Sequence, residues 1–238
     1  MEPMLYVIGD IHGYFDKFMT LMEHCRAHAL EHGEQARFVL LGDYVDRGPD
    51  SKSVLAYLAT SPPGVEAIRG NHEQMMLNAL DNTDADVLWR YNGGDETLAS
   101  YGTWTVRDVP DDHLELLRRL PLFIDDGLRL FVHAGIDPAD PAARNAKILL
   151  WTRKHPPDDA ALPRFIVHGH TPTPDHKPDL RPNRLNLDTG AGYGHALTAG
   201  VFGEAENMPR GFIDNAGEYT ANCQKYCAPA GYSAQTAQ

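Results

Sequence analysis

Short apolar runs alternate with amphipathic stretches through the first 80 residues of the chain. Residues 5–8, 38–41 and 65–68 form apolar runs that end within two residues of a glycine, which is typical of buried strands. The stretches that follow them carry apolar side chains at the spacing of a helix that buries one face. They cover residues 14–31, 51–59 and 73–80. Such alternation predicts βαβ units and a largely parallel sheet.

The regular alternation stops after residue 81. Residues 84–102 mix helical and loop patterns and are rich in aromatic side chains and glycine, which suits either the wall of a cleft or a satellite packing cluster. Residues 111–120 are predicted to form a helix. From residue 121 onward the pattern is strand-rich, with runs at residues 122–124, 128–132, 165–167, 185–187, 197–202 and 212–213. These later strands predict a second, partly antiparallel sheet that packs on the first.

Length, charge and cysteine content exclude several classes of protein. A chain of 238 residues can bury a substantial core, and we expect one domain over residues 1–225 with a frayed, polar tail at residues 226–238. The formal net charge of −12 argues against nucleic acid and anionic membranes as partners. The chain shows neither a transmembrane-length apolar run nor a signal-peptide pattern, so we expect a cytoplasmic protein. Three cysteines are too few for a disulfide framework, which leaves unpaired thiols or a single Cys223–Cys227 bridge as alternatives.

Five polar clusters follow strand-like runs. They are Asp10-Ile11-His12, Asp43 with Asp46-Arg47, Asn71-His72-Glu73, His133, and His168-Gly169-His170. Because ligands bind at the carboxyl ends of the strands in α/β sheets, we expect these clusters to converge there. A single aspartate at a strand end is often only a helix cap, and a lone histidine is usually a satisfied polar side chain. Five clusters at successive strand ends instead indicate a shared metal site.

The donor atoms of these clusters suit divalent metal chemistry. Carboxylate, imidazole and amide oxygen are ligands for Mn²⁺, Fe²⁺ or Zn²⁺, and no cysteine accompanies them. One bridging carboxylate can hold two ions about 3.5–4 Å apart, the arrangement used for in-line displacement at phosphorus. Asp43 is our candidate for that bridge, and we expect Asp46 and Arg47 to serve the phosphate. A histidine with a carboxylate partner can protonate a leaving alkoxide, and arginine matches the geometry of phosphate oxygens.

The five clusters and their flanking residues resemble, in order, the signatures of the PPP-family metallophosphatases. The matching segments are Gly9-Asp10-Ile11-His12-Gly13, residues 42–48, Gly70-Asn71-His72-Glu73, His133-Ala134-Gly135 and His168-Gly169-His170-Thr171. This family contains the serine/threonine protein phosphatases with a calcineurin-like fold, and the likeness is strongest to its small bacterial and phage members. The resemblance spans about residues 5–202. It implies an α/β fold, a sandwich of two mixed β-sheets flanked by helices.

The resemblance also implies roles for individual residues. The first metal ion would be bound by Asp10, His12 and Asp43, and the second by Asp43, Asn71, His133 and His170, with Asp43 bridging. His72 would be the general acid, and Asp46 would orient it. Arg47, Arg153 and Asn71 would bind the substrate phosphate. The two ions are expected to be Mn²⁺, with Fe or Zn²⁺ as alternatives.

Two features bear on the substrate that the resemblance implies. The His133-Ala134-Gly135 segment differs from the His-Gly-Gly of many protein phosphatases and also occurs in the related dinucleoside-tetraphosphate hydrolases. Those hydrolases typically lack an acidic residue at the position of Asp46, so its presence favours phosphomonoesters. We therefore expect hydrolysis of phosphoserine and phosphothreonine in phosphoproteins or phosphopeptides, with phosphotyrosine as a further substrate. The alternatives are a dinucleoside tetraphosphate hydrolase and a metal-binding regulatory module without catalysis. No region for a regulatory subunit is evident.

Overall fold

The computed structural model describes residues 3–222, which form two stacked β-sheets flanked by helices. The strands are β1 Pro3–Ile8, β2 Gln35–Leu40, β3 Val65–Ala67, β4 Phe123–Asp125, β5 Arg129–Val132, β6 Phe165–His168, β7 Asp179–Leu180, β8 Arg184–Asn186, β9 Thr198–Phe202, β10 Gly211–Asp214 and β11 Tyr219–Ala221. The helices are α1 Phe15–Glu31, α2 Ser51–Ala59, α3 Asn71–Ala79, α4 Thr83–Trp89, α5 Asp95–Tyr101, α6 Asp111–Arg119 and α7 Ala146–Trp151. Cys223, Cys227 and the predicted tail lie outside the described residues. Within residues 3–222, none of the helices combines the length and apolar character needed to cross a membrane.

The six-stranded sheet contains the predicted βαβ units. Its order is β11-β10-β9-β1-β2-β3, and β1, β2 and β3 run parallel. Ile8 pairs with Leu40, and Leu40 pairs with Ala67, so the three strands end level with one another. The loops that follow these strands, which carry the first three polar clusters, therefore leave the same edge of the sheet.

β1 is apolar along most of its length because both of its faces are buried. Met4, Tyr6 and Ile8 belong to a core that the sheet forms with helices α1 and α2. Leu5 and Val7 alternate with them and belong to the core between the two sheets, together with side chains of β5 and β6. Burial of each aliphatic or aromatic side chain stabilises the fold by about 1.5–3 kcal/mol. Because β1 contributes such side chains to both cores, it stabilises the packing on both faces of the sheet.

The later strands divide between the two sheets. The five-stranded sheet has the order β4-β5-β6-β8-β7, in which β5, β6 and β8 run parallel. β9, β10 and β11 instead join the six-stranded sheet, where β9 pairs antiparallel with β1 and Val7 lies opposite Gly200. The prediction that every later strand belongs to the second sheet is therefore wrong for residues 197–202 and 212–213. An apolar run predicts a strand, but it does not encode which sheet edge that strand will pair with.

The segment between α3 and α6 is more regular than its sequence predicted. Residues 84–102 lie mainly in α4 and α5, which are joined through Arg90–Gly94 by a kink at Gly93. Three short elements had no counterpart in the predicted pattern: α7, β7 and β11, of six, two and three residues. Elements of this length present too few positions for a periodicity to be seen.

Candidate metal centre

The five predicted clusters meet at the carboxyl ends of the strands. The His12 N–H donates to Asp43 O at 2.8 Å, which ties the loop after β1 to the loop after β2. The Gly169 N–H donates to His133 O at 2.8 Å, which ties the loop after β6 to the loop after β5. His133 Nδ1 lies 2.9 Å from Leu41 O and so joins the two sheets at this edge. The convergence expected from the strand ends is present.

Five of the predicted site residues have a left-handed backbone. Their φ angles are 48° for His12, 54° for Asp43, 75° for Asp46, 69° for Arg47 and 71° for His170. Residues other than glycine seldom adopt this conformation, which costs of order 1–3 kcal/mol and persists only where the surrounding structure holds it. Strain of this kind collects at functional sites, where exact side-chain placement matters more than local stability.

Glu73 holds the strained loop after β2. Its buried carboxylate accepts hydrogen bonds from the N–H groups of Asp43 at 2.8 Å, Tyr44 at 2.6 Å, Val45 at 3.2 Å and Gly70 at 2.8 Å. Burial, followed by the charge of Asp43, raises the pKa of Glu73 to about 7. Glu73 had no predicted role. The sequence does contain a signal for such a role, because Glu73 lies three residues after Gly70. A glutamate at that position can accept a hydrogen bond from the backbone N–H at the start of the helix.

Asp43 lies among imidazoles. Its Oδ2 is 3.6 Å from His12 Nε2, and its Oδ1 is 3.4 Å from His133 Nε2. Burial alone would raise the pKa of Asp43, but the charges of His133, His72 and His12 outweigh burial and lower it. Donors bound to one ion at about 2.1 Å lie roughly 3–3.5 Å apart, so these separations are close to those of shared ligands.

Asn71 and His170 complete a second group of donors around Asp43. Asn71 Oδ1 lies 2.7 Å from His133 Nε2 and 2.8 Å from His170 Nδ1. Ligand atoms lie close to one another in two groups of side chains. One group is Asp43, His133 and His170, and the other is Asp43, His12 and His72. Because Asp43 is common to both groups, the geometry fits two divalent ions that share this carboxylate.

The backbone fixes which nitrogen two of the histidines present. His12 Nδ1 lies 3.0 Å from Val45 O, and His133 Nδ1 lies 2.9 Å from Leu41 O. A carbonyl oxygen only accepts, so each Nδ1 carries the hydrogen and each Nε2 keeps a lone pair for a metal ion. Burial lowers the pKa of His12 and His133 and, with the charge of His133, lowers the pKa of His170 to about 3. The neutral imidazole is the form that binds a metal.

Asp10 lies beside these donor groups together with a second buried carboxylate. Its two oxygens accept the His170 N–H at 3.2 and 3.1 Å. Burial, and then the charges of Asp188 and Asp43, raise the pKa of Asp10. Asp188 was missed in the sequence analysis, although it follows β8 much as the other clusters follow their strands. A cation at this edge would offset the repulsion among the three buried carboxylates.

His72 pairs with a carboxylate of its own. Its Nδ1 lies 2.7 Å from Asp46 Oδ2, and both side chains are buried. Its Nε2 is 3.9 Å from Asp43 Oδ2, so the ring borders the metal donors without the short contacts that His133 and Asn71 make. Burial alone would lower the pKa of His72, but Asp43 and Asp46 outweigh burial and raise it. A raised pKa favours uptake of the second proton that a general acid must deliver.

The two predicted arginines lie on different sides of the centre. Arg47 contacts His12 Nε2 through Nη1 at 2.7 Å and His72 Nε2 through Nη2 at 3.0 Å. Its guanidinium carbon is 4.8 Å from the centre of the Tyr193 ring, which is exposed at the rim. Arg153 is exposed beyond the end of α7, and its charge adds to the burial that lowers the pKa of His170. Arg47 is therefore within the site, and Arg153 is at its edge.

Comparison with known proteins gives a family and several relatives. Residues 4–197 match the model of the calcineurin-like phosphoesterases. The chain is 33% identical over 210 residues to serine/threonine-protein phosphatase 1 of Salmonella typhimurium, covering 82% of this chain and 89% of that protein. It is 28% identical over 229 residues to the asymmetrical bis(5'-nucleosyl)-tetraphosphatase PrpE of Bacillus velezensis, covering 85% of this chain and 90% of that protein.

A solved structure shares the fold at low sequence identity. The cold-active protein-tyrosine phosphatase of a psychrophilic Shewanella species aligns with a TM-score of 0.60 and 18% identity, over 93% of this chain and 80% of that one. At this identity the likeness supports the two-sheet architecture alone. All three names are those of phosphatases, and they differ in the substrates that they give.

Proposed function

The chain belongs to the calcineurin-like phosphoesterase family, and from that premise we propose that it is a protein phosphatase that hydrolyses phosphoserine and phosphothreonine monoesters. Phosphotyrosine would be a further substrate. The observation that carries the proposal is the buried pair of His72 Nδ1 and Asp46 Oδ2 at 2.7 Å. A serine or threonine alkoxide is a poor leaving group that needs a proton, whereas a nucleotide leaves as a stable phosphate anion. An oriented acid is therefore most useful for an alkyl monoester.

The metal ligands have a donor set suited to the family's dimetal chemistry. Asp10, His12 and Asp43 would hold one divalent ion, and Asp43, Asn71, His133 and His170 would hold the other. We expect Mn²⁺ in both positions, with Fe or Zn²⁺ as alternatives. When bound, two such ions supply Lewis-acid stabilisation of phosphoryl oxygens and activate water as the nucleophile, so that no phosphorylated side chain is needed.

The chain's own residues bind the phosphate and move the proton. Arg47 has two amino groups directed into the site, which suits two phosphoryl oxygens, and Arg153 and Asn71 would contact the same group from the His170 side. His72 would donate the proton on Nε2 to the leaving oxygen. Asp46 would hold Nδ1–H throughout, which keeps Nε2 directed toward the substrate.

A dinucleoside tetraphosphate hydrolase is the second candidate function. The observation in its favour is the likeness to the Bacillus velezensis tetraphosphatase, which extends over 85% of this chain, together with the His133-Ala134-Gly135 segment. The same metal centre would serve either substrate. The two functions differ in how much turnover should depend on His72.

The test compares both substrates on one metal-reconstituted preparation. The protein is stripped with chelator, reloaded with Mn²⁺, Fe²⁺ or Zn²⁺, and assayed on phosphoserine, phosphothreonine and phosphotyrosine peptides and on diadenosine tetraphosphate at matched concentrations. We expect a larger kcat/KM on the serine and threonine phosphopeptides. A larger kcat/KM on the dinucleotide would support the second function. Inactivity on every phosphoester after reloading would indicate a regulatory module without catalysis.

His72→Asn tests the assignment of the acid. We expect kcat on a phosphoserine peptide to fall by about 10²–10⁴-fold, the usual contribution of a positioned acid, while metal content stays unchanged. Metal content is measured by elemental analysis of the purified variant. Wild-type turnover of the phosphoserine peptide by His72→Asn would contradict the assignment.

A further inference from the structure

The acid pair is held by a segment that contributes none of the predicted metal ligands. The segment runs from α4 through the kink at Gly93 to α5, over residues 83–101. We propose that Trp89 and Thr97 of this segment are positioning residues for the general acid. They hold the Asp46 carboxylate in the one orientation in which it aligns His72 with the leaving oxygen of an alkyl phosphomonoester. The proposal rests on the proposed function and extends it to the residues that make the acid effective.

Three side chains share the two oxygens of Asp46. Trp89 Nε1 donates to both oxygens, at 3.0 Å to each. Thr97 Oγ1 donates to Oδ1 at 2.7 Å, and His72 Nδ1 lies 2.7 Å from Oδ2. Asp46, Trp89 and Thr97 are each 0% exposed. Rotation of the carboxylate is therefore costly, because breaking its bonds to Trp89 Nε1 or His72 Nδ1 leaves a buried N–H group without a partner.

Thr97 also fixes the backbone of the same aspartate. The Asp46 N–H donates to Thr97 Oγ1 at 2.8 Å and to Ser51 Oγ at 3.0 Å, and these two hydroxyls are 3.0 Å apart. Asp46 has the φ of 75° noted above, which few residues other than glycine adopt. One threonine hydroxyl thus contacts both the strained main chain and the carboxylate of Asp46.

A kink between α4 and α5 brings this segment against the site. The chain leaves the helical conformation at Gly93, which has a φ of 109° and a ψ of 14°. The kinked stretch Arg90–Gly94 follows Trp89 directly, and Gly94 packs so closely on the indole that a Cβ there would be 2.6 Å from the ring. The Gly93 carbonyl accepts the Arg47 N–H at 3.2 Å. The segment therefore holds both the acid pair and the main chain of the phosphate-binding arginine.

The physical consequence depends on the leaving group. Three donors fix the direction of the buried Asp46 carboxylate, which sets the tautomer and the tilt of the His72 ring. An alkoxide cannot leave without the proton that this ring would deliver, so its rate should depend on Trp89 and Thr97. A nitrophenolate is stable as an anion and leaves with little help. We therefore expect this segment to matter most for the hydrolysis of phosphate esters of aliphatic alcohols.

The test measures leaving-group dependence in two variants. Trp89→Phe removes the indole N–H and keeps an aromatic ring, and Thr97→Val removes the hydroxyl at nearly constant volume. We expect kcat on a phosphoserine peptide to fall at least tenfold in each, a part of the roughly 10²–10⁴-fold contributed by the acid, and kcat on p-nitrophenyl phosphate to fall far less. Thr97→Ser, which keeps the hydroxyl, should recover most of the lost rate. Trp104→Phe, at a tryptophan 89% exposed just after the segment, should leave both rates unchanged.

A double variant separates positioning from a general structural effect. In a His72→Asn background there is no acid to orient, so Trp89→Phe should cause little further loss on the phosphoserine peptide. An equal loss on both substrates, or a loss that adds fully to that of His72→Asn, would overturn the proposal. Circular dichroism and Tm confirm that each variant is folded. If Trp89→Phe fails to fold, the comparison of Thr97→Val with Thr97→Ser decides the matter alone.

Failure of the proposed function gives a different result. If the protein prefers the dinucleotide to phosphopeptides, the proposed substrate is wrong. The roles of Trp89 and Thr97 can then still be tested by comparing the rates of each variant on methyl phosphate and on p-nitrophenyl phosphate. Conversely, good activity on phosphoserine peptides together with uniform losses in the variants would leave the proposed function intact and refute the positioning roles.

Discussion

Asp43 has a left-handed backbone because Glu73 binds the amides around it. The Asp43, Tyr44 and Val45 N–H groups all point at one carboxylate. Above the raised pKa of Glu73, about 7, the ionised carboxylate accepts charge-assisted hydrogen bonds, which are stronger than bonds between neutral groups. Together these hydrogen bonds offset the free-energy cost of the left-handed backbone at Asp43, the residue that both donor groups share. Glu73 thus acts on the metal centre through the main chain.

Glu73→Gln should weaken both the fold and the metal site. The amide has one acceptor oxygen, and its NH₂ group would face N–H donors, so at least one buried donor loses its partner at a cost of about 1–3 kcal/mol. Denaturant unfolding of the chelator-treated variant measures that loss, and metal titration measures the fall in affinity. Glu66→Gln is the matched control, because the Glu66 side chain is 48% exposed and paired with Arg37. Unchanged stability and affinity in Glu73→Gln would contradict this role.

At the residue scale the sequence indicated which polar side chains converge, but it did not indicate which side chains support them. The motif residues from Asp10 to His170 lie together as expected, because each follows a strand that ends at the same edge. Glu73 and Trp89 act on residues distant in sequence, one through backbone amides and the other through the carboxylate of Asp46. No local pattern encodes such partners, since they depend on how close two segments come after packing.

At the scale of elements, the turn between α4 and α5 depends on one glycine. Gly93 has a φ of 109°, and a Cβ on it would lie 2.7 Å from Arg47 N and 2.9 Å from Arg47 Cγ. A side chain there is excluded by both the backbone conformation and the contact with Arg47. The sequence predicted either the wall of a cleft or a satellite packing cluster in this region. It did not indicate the kink at Gly93, because the kink follows from packing on the loop after β2.

Gly93→Ala should displace Arg47 and weaken phosphate binding. We expect a higher KM for the phosphoserine peptide and a lower kcat/KM, because the main chain of Arg47 must move away from the new methyl group. Gly102→Ala is the matched control: Gly102 ends α5 with a φ of 70°, and nothing lies within 4 Å of an added Cβ. It carries similar backbone strain without the contact. Equal kinetics in the two variants would show that strain alone, and not the approach to Arg47, accounts for any loss.

The type of each long element could be predicted, whereas its partner in the sheet could not. β1 follows from a continuous apolar run and α1 from a pattern of period 3.6, and burial imposes both patterns directly. β9 was correctly expected as a strand and wrongly assigned to the second sheet. Its residues Ala199 and Val201 pack in the core beneath the helices, and that placement depends on pairing with β1 rather than on its own sequence.

At the scale of the whole molecule, the metal centre joins the two sheets. Asp10, Asp43 and Asn71 follow β1, β2 and β3 of the six-stranded sheet. His133 and His170 follow β5 and β6 of the five-stranded sheet. Asn71 Oδ1 lies within 2.8 Å of a nitrogen on each of these two histidines, so the second group of donors is built across the boundary between the layers.

A metal bound across this boundary should stabilise both sheets together. An ion at 100 times its Kd adds about 2.7 kcal/mol to the free energy of unfolding, provided that it binds only the folded chain. We expect Mn²⁺ to slow hydrogen exchange in β5 and β6 as well as in β1 and β2, because the ligands from each sheet can be withdrawn only by releasing the ion. Asp43→Asn should abolish the effect in both sheets, and Asp84→Asn, at an exposed residue of α4, should preserve it. Protection gained in the six-stranded sheet alone would show that the histidines after β5 and β6 are not ligands. Because Asp43 is the carboxylate common to both groups, its loss tests the bridge and the coupling of the layers in one measurement.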